Sequence, residues 1–198
     1  MLNLSELTDK VRALAIEAGD FIREERKKFH REAIEKKHAH DYVSYVDKES
    51  EKKIVTRLKE LLPEAGFIAE EGSGTLNDEQ YCWLVDPLDG TTNFIHDNAP
   101  YCVSIALRSK KELLLGVVYE ICRNECFWTY KGAPSYLNDN EIHVSAISNL
   151  DDSFIALGFP YATEEYKPMA NHLVNTLYGN VAGLRPVSYT HLTLPTIR

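Results

Sequence analysis

No apolar run in this 198-residue chain approaches the ~20 residues needed to cross a bilayer. The N-terminus also lacks the charged, apolar and small-residue pattern of a signal peptide. Together these absences argue against a membrane protein and make the cytoplasm the expected compartment. Cysteine is scarce: Cys82, Cys102, Cys122 and Cys126 follow no disulfide or zinc spacing. Cys82 and Cys102 lie inside strand-like runs, where a free cysteine behaves as a small apolar residue. Cys122 and Cys126 flank a turn and read as reduced thiols. Positive charge is in deficit, with 22 Lys and Arg against 30 Asp and Glu and a net charge of −8. Nucleic-acid backbones are bound by clustered Lys and Arg, so they are not expected as the main partner. A small phosphorylated substrate stays open, because bound divalent cations invert the local sign of an acidic site. There is no internal repeat and no low-complexity segment.

What is present is ordinary globular composition, 44% hydrophobic and 26% charged, enough for one domain or one domain and part of another. Leu4, Leu7, Val11, Leu14, Ala18 and Phe21 recur at helical spacing, predicting a helix from residue 4 to about 29 with Asn3 as cap and Glu6 three residues on. Periodicity fades around Lys36–His40, which reads as an exposed polar loop. The segment 41–47 is extended and leads to a second helix, about 48–62, with Asp47 as its N-cap and Pro63 beyond its end. Gly66–Ala69 is a strand delivering Glu70 and Glu71 into a polar loop. Tyr101–Leu107, Leu113–Tyr119 and Glu125–Tyr130 are strands joined by short connections, which favours antiparallel pairing. A short extended piece at 141–145, a strand at 153–157 and a helix at 163–179 containing Pro168 follow. The order is α+β passing into α/β.

The densest chemistry is Asp86-Pro87-Leu88-Asp89-Gly90-Thr91-Thr92-Asn93-Phe94, directly after the apolar run Tyr81–Val85. Pro87 biases Asp86 towards extended geometry at a strand tip. Gly90 lets the backbone turn sharply or approach a ligand. Two carboxylates three residues apart, beside amides and hydroxyls, suit a divalent cation and a phosphate better than they suit packing.

With Trp83-Leu84-Val85 in front of it, this motif resembles the first signature of the inositol monophosphatase family, the magnesium-dependent, lithium-sensitive phosphatases. Phe67-Ile68-Ala69-Glu70-Glu71 looks like that family's upstream glutamate element. Asp41-Tyr42-Val43-Ser44-Tyr45-Val46-Asp47 is similar to its D-x-V-T-x-x-D segment, with Ser44 at the usual threonine. Gly116–Tyr119 and Lys131–Ala133 also fit. The resemblance implies a layered α-β-α-β-α sugar-phosphatase-like fold, with a helix pair on an antiparallel sheet and an incomplete C-terminal α/β layer. It implies that Glu70, Asp86, the Leu88 carbonyl and Asp89 hold Mg²⁺, all hard oxygen ligands. Thr91, backed by Asp47, would orient the attacking water, with Glu70 steadying it. The phosphate would rest on the Gly90 and Thr91 amides, close to Glu70, Leu88 and Asp89, with Lys36 as a nearby basic group. The substrate would be inositol monophosphate or a similar small sugar phosphate. Fructose bisphosphate or phosphoadenosine phosphate, as in related families, and a non-catalytic binding module are the alternatives. Homodimers are usual in the family.

The chain departs from the family's pattern near its C-terminus. Neither Trp83 nor Trp128 precedes an aspartate, so the second signature, W-D-x-x-A-G, is missing. Residues 186–198 have no helical period and read as a non-native tail. The expected division is an α+β domain with the metal site over 1–145, the start of an α/β domain over 146–185, and the tail. Without the second-signature aspartate, weak Mg²⁺ binding and little turnover are expected, as are exposed apolar patches in the α/β part.

Overall fold

The computed structural model describes residues 2–29, 34–38, 41–73, 79–110, 112–158 and 163–187. Helix α1 runs Leu4–Lys28, and the Asn3 side chain accepts the Glu6 N–H at 3.3 Å. Its buried stripe is Leu7, Val11, Leu14, Ala15, Ala18 and Ile22, so Ile22 takes the slot expected of its neighbour Phe21. Arg26, Lys27 and Lys28 in the last turn complement the helix dipole.

Strands β1 (Ile34–His38) and β2 (Asp41–Ser44) pair antiparallel. The expectation of a loop through Lys36–His40 is therefore corrected up to His38. A two-stranded ribbon takes its order from backbone pairing, so its charged sequence shows no period-2 apolar face. His40 lies outside the described residues.

Helix α2 spans Tyr45–Leu61, three residues earlier than its periodicity indicated. Its cap is Ser44, and Asp47 is the third helical residue. The Ser44 N–H and hydroxyl both donate to Asp47 Oδ2, at 2.8 and 2.6 Å, and the Val46 N–H donates to Ser44 Oγ at 3.2 Å. This reciprocal capping box displaces Asp47 from the cap position expected of it.

Both helices cover one face of a seven-stranded sheet ordered β3-β4-β5-β6-β7-β8-β9. The strands are Gly66–Ala69, Tyr81–Asp89, Cys102–Ser109, Leu113–Glu120, Glu125–Tyr130, Ser135–Leu137 and Asn140–Ile142. All neighbours are antiparallel except β3 and β4, which run parallel, so the sheet is mixed rather than purely antiparallel. The segment between β3 and β4 is long enough for a crossover, which a hairpin does not need. Trp83, Ile105, Leu107, Ile22, Ile54 and Leu58 are fully buried between helices and sheet.

A separate pair of parallel strands, β10 (Phe154–Gly158) and β11 (Gly183–Val187), brackets helix α4 (Thr163–Leu177), which contains Pro168. Pro186 and Val187 thus belong to a strand, and residues 188–198 lie outside the described set. This unit is thinly covered, with Phe154 64% and Tyr178 79% exposed.

Leu58, fully buried between α2 and the sheet, gives a direct test of this packing. Leu58→Ala should cost about 2–5 kcal/mol and lower Tm by roughly 2–4 °C for each kcal/mol, measured by thermal denaturation.

Candidate active site

The site is set by register. Along β4, Trp83 and Val85 pair with Leu107 and Ile105 on the helix-covered face, and Leu84 and Asp86 pair with Ala106 and Ser104 on the other. Asp89 pairs with Cys102. Three steps along β4 therefore match two along β5, which is a β-bulge of one extra residue at Pro87–Leu88. The extra residue resets the alternation, so Asp86 and Asp89 share the face turned away from α1 and α2. Pro87 suits the bulge because it has no ladder N–H to satisfy.

Gly90 follows with φ +90°, capping the short helix α3 (Thr91–Ile95). A Cβ at Gly90 would meet the Pro100 carbonyl oxygen and the Tyr101 Cβ, both at 3.2 Å. Handedness and space both call for glycine there. Glu70 is brought in from β3: its N–H donates to the Val85 carbonyl at 3.2 Å, adding one rung to the parallel ladder beside Asp86.

Charge concentrates where these segments meet. The Asp86 carboxyl is pushed up to about 10, first by burial, then by the charges of Glu70 and Asp89. The Leu88 N–H donates to it and acts the other way. Asp86 Oδ1 is shielded from solvent and has no hydrogen-bond partner. The Cys102 thiol, 3.9 Å from Asp89 Oδ2, is held protonated by burial and by the same acids. An unpartnered buried carboxylate oxygen among like charges is what a hard divalent cation relieves, so the donor set fits Mg²⁺. Among the described residues no three His, Cys, Asp or Glu side chains already stand as a metal-holding group.

Asp47 is 2% exposed at the start of α2. The Thr91 hydroxyl lies 2.8 Å from Asp47 Oδ1 and 3.0 Å from the Leu88 carbonyl, with one proton to donate between them. Burial raises the Asp47 carboxyl, opposed by its hydrogen bonds from Ser44 and Thr91. Asp47, Thr91, Leu88, Asp89, Gly90, Asp86 and Glu70 are thus brought together. Lys36 lies on β1, and its side chain is outside the description. A cleft of about 730 Å³ runs along the far face of the sheet, with Glu70 and Asp86 at one end and Leu84, Ala106 and Gly116 along it.

Two further α2 residues touch the site and were missed from sequence. Ser50 donates to the Pro87 carbonyl at 3.4 Å, and the Glu51 carboxylate accepts the Glu71 and Ser73 N–H groups at 2.6 and 2.9 Å. The one available signal was the stripe Leu58–Ile54, which reaches Glu51 and Asp47 when extended back along the helix.

The sequence profile described as the inositol monophosphatase family matches residues 3–196. The chain belongs to that family. It is 35% identical over 167 residues to a protein of Pseudomonas aeruginosa named Nus factor SuhB, an alignment covering 82% of this chain and 62% of that protein. The fold is similar to the crystal structure of the extragenic suppressor protein suhB from Bartonella henselae, with TM-score 0.89 and 31% identity over 96% of this chain and 73% of that one. It is also similar to an inositol monophosphatase from Anabaena (Nostoc), with TM-score 0.77 and 28% identity over 93% of this chain and 68% of that one. The chain spans about three fifths of the length of the curated relatives it matches. No helix among the described residues is long and apolar enough to cross a membrane.

The raised Asp86 carboxyl gives a pH signature with a defined sign. Folding raises its pKa, so the native state binds the extra proton. The associated stability is complete below the usual carboxylate range near ~4 and is lost as pH rises towards about 10. Metal-free protein should therefore lose stability steadily as pH rises through that window. Asp86→Asn should flatten the dependence of Tm on pH, as read by thermal melts from pH 5 to 9.

Proposed function

We propose that this chain carries the site of a Mg²⁺-dependent phosphomonoesterase acting on inositol monophosphate or a similar small sugar phosphate. The observation that carries this reading is the unpartnered Asp86 Oδ1 among Glu70 and Asp89, next to a hydroxyl already bonded to a buried carboxylate. Glu70, Asp86, Asp89 and the Leu88 carbonyl would hold the ion. When bound, Mg²⁺ supplies charge stabilisation at the phosphoryl group and acidifies water. The protein's own contribution is proton handling. Water attacks phosphorus as the ester P–O bond breaks, and the departing alkoxide takes a proton from solvent to leave as the free alcohol. The water's proton passes to Thr91 Oγ as Thr91 gives its own proton to Asp47. Burial makes Asp47 a stronger base than an exposed aspartate. The phosphate would lie against the first N–H groups of α3, at Gly90 and Thr91, which have no acceptor within the helix. Lys36 is the proposed basic neighbour. The reaction calls for no nucleic acid or membrane partner, and we place it in the cytoplasm, carried out by a homodimer.

A second reading comes from the relatives named Nus factor SuhB: a role exerted through protein contacts, with the site non-catalytic. Under that reading, substitution of the acids leaves the role intact.

Calorimetric titration of the 198-residue chain should show Mg²⁺ binding weaker than in proteins carrying the W-D-x-x-A-G signature. Phosphate release from inositol monophosphate should be Mg²⁺-dependent, slow and inhibited by Li⁺. Asp86→Asn and Asp89→Asn should remove both binding and turnover. Thr91→Ala should leave Mg²⁺ binding within about twofold and cut release roughly 10²–10⁴-fold. Wild-type protein that binds no Mg²⁺ overturns the reading.

A further inference from the structure

We propose that Glu51 is a positioning residue: its buried carboxylate fills an amide nest in the loop after β3 and thereby fixes where Glu70 presents its side chain. The consequence for metal binding rests on the reading of Glu70 as a ligand.

Glu51 is 0% exposed and sits one helical turn beyond Asp47 on α2. Its two carboxylate oxygens each accept one backbone amide, Oε2 from Glu71 and Oε1 from Ser73. Between them Gly72 has φ +91°, and its own N–H donates back to the Ala69 carbonyl at 3.3 Å. N–H groups on either side of a left-handed residue converge into a concavity that binds anions. Here the anion comes from the protein itself. A buried carboxylate costs free energy unless its oxygens are satisfied, and two charge-assisted bonds to fixed amides offset that cost. Glu70 is joined directly to Glu71 and is held on its other side by the rung to Val85. The loop therefore has two anchors, one on the sheet and one on α2. Releasing the second frees the backbone next to Glu70 while the ladder below it stays intact. With Asp47 on Thr91 and Ser50 on Pro87, one helix touches all three segments of the site.

Glu51→Gln tests this, because it keeps the shape and removes one acceptor. The amide NH₂ then faces a backbone N–H, donor against donor. In the metal-free full chain, hydrogen exchange followed by NMR should accelerate roughly 10–100-fold at Glu71 and Ser73, with the amides of β4, β5 and β6 unchanged. In calorimetric titration with Mg²⁺ alone, half-saturation should rise about tenfold or more. Unchanged exchange at Glu71 and Ser73 overturns the proposal. So does uniform acceleration across the sheet, which would make Glu51 a general stabiliser, or accelerated loop exchange with unchanged Mg²⁺ half-saturation. If Glu51→Gln does not fold, Glu51→Asp, too short to reach both amides, should shift both measurements in the same direction. If the wild type binds no Mg²⁺, the phosphatase reading fails, and the exchange data alone then decide for or against the clamp.

Discussion

The β-bulge at Pro87–Leu88 reconciles two demands that a regular strand cannot meet together. Trp83 and Val85 must face the helices to complete the core, and two aspartates three residues apart must face the same way as each other. Without the extra residue, Asp89 would point into the apolar layer under α1 and α2, where an unpaired carboxylate is strongly disfavoured. With it, the core keeps its alternation and both acids emerge on the opposite face. The left-handed turn at Gly90 then swings Thr91 back towards α2, where Asp47 waits.

Helix α2 has a divided character. Its C-terminal half gives Ile54, Val55 and Leu58 to the core, and its N-terminal half gives Asp47, Ser50 and Glu51, all buried. The same rigid rod thus sets core packing and site geometry, so a rotation that improved one would disturb the other. This is the kind of supporting shell that holds reactive groups to within a fraction of an ångström.

The legible part of the site was the part that is contiguous in sequence. Asp86, Asp89, Gly90 and Thr91 lie within six residues, and Glu70 follows an apolar strand, so strand-tip chemistry could be read directly. Asp47 is legible by motif but its local role is not, because Ser44 and Asp47 both suit a cap and only the reciprocal hydrogen bonds decide between them. Glu51 carries no signal of its own: a glutamate in a helix usually reads as solvated, and its partners are backbone amides twenty and twenty-two residues away. The parallel pairing of β3 with β4 and the β1–β2 ribbon were hidden for a similar reason, since both are decided by backbone pairing between segments.

The loop after β3 also bears on where a free anion can settle. Backbone concavities of this kind have no intrinsic preference between a protein carboxylate and a dissolved oxyanion of similar size. The one at Glu71–Ser73 is already filled by a competitor tethered to the same chain, the Glu51 carboxylate. Phosphate or sulfate diffusing into the site is therefore excluded from that corner. A decoy receptor beside the carboxylates has been closed from within.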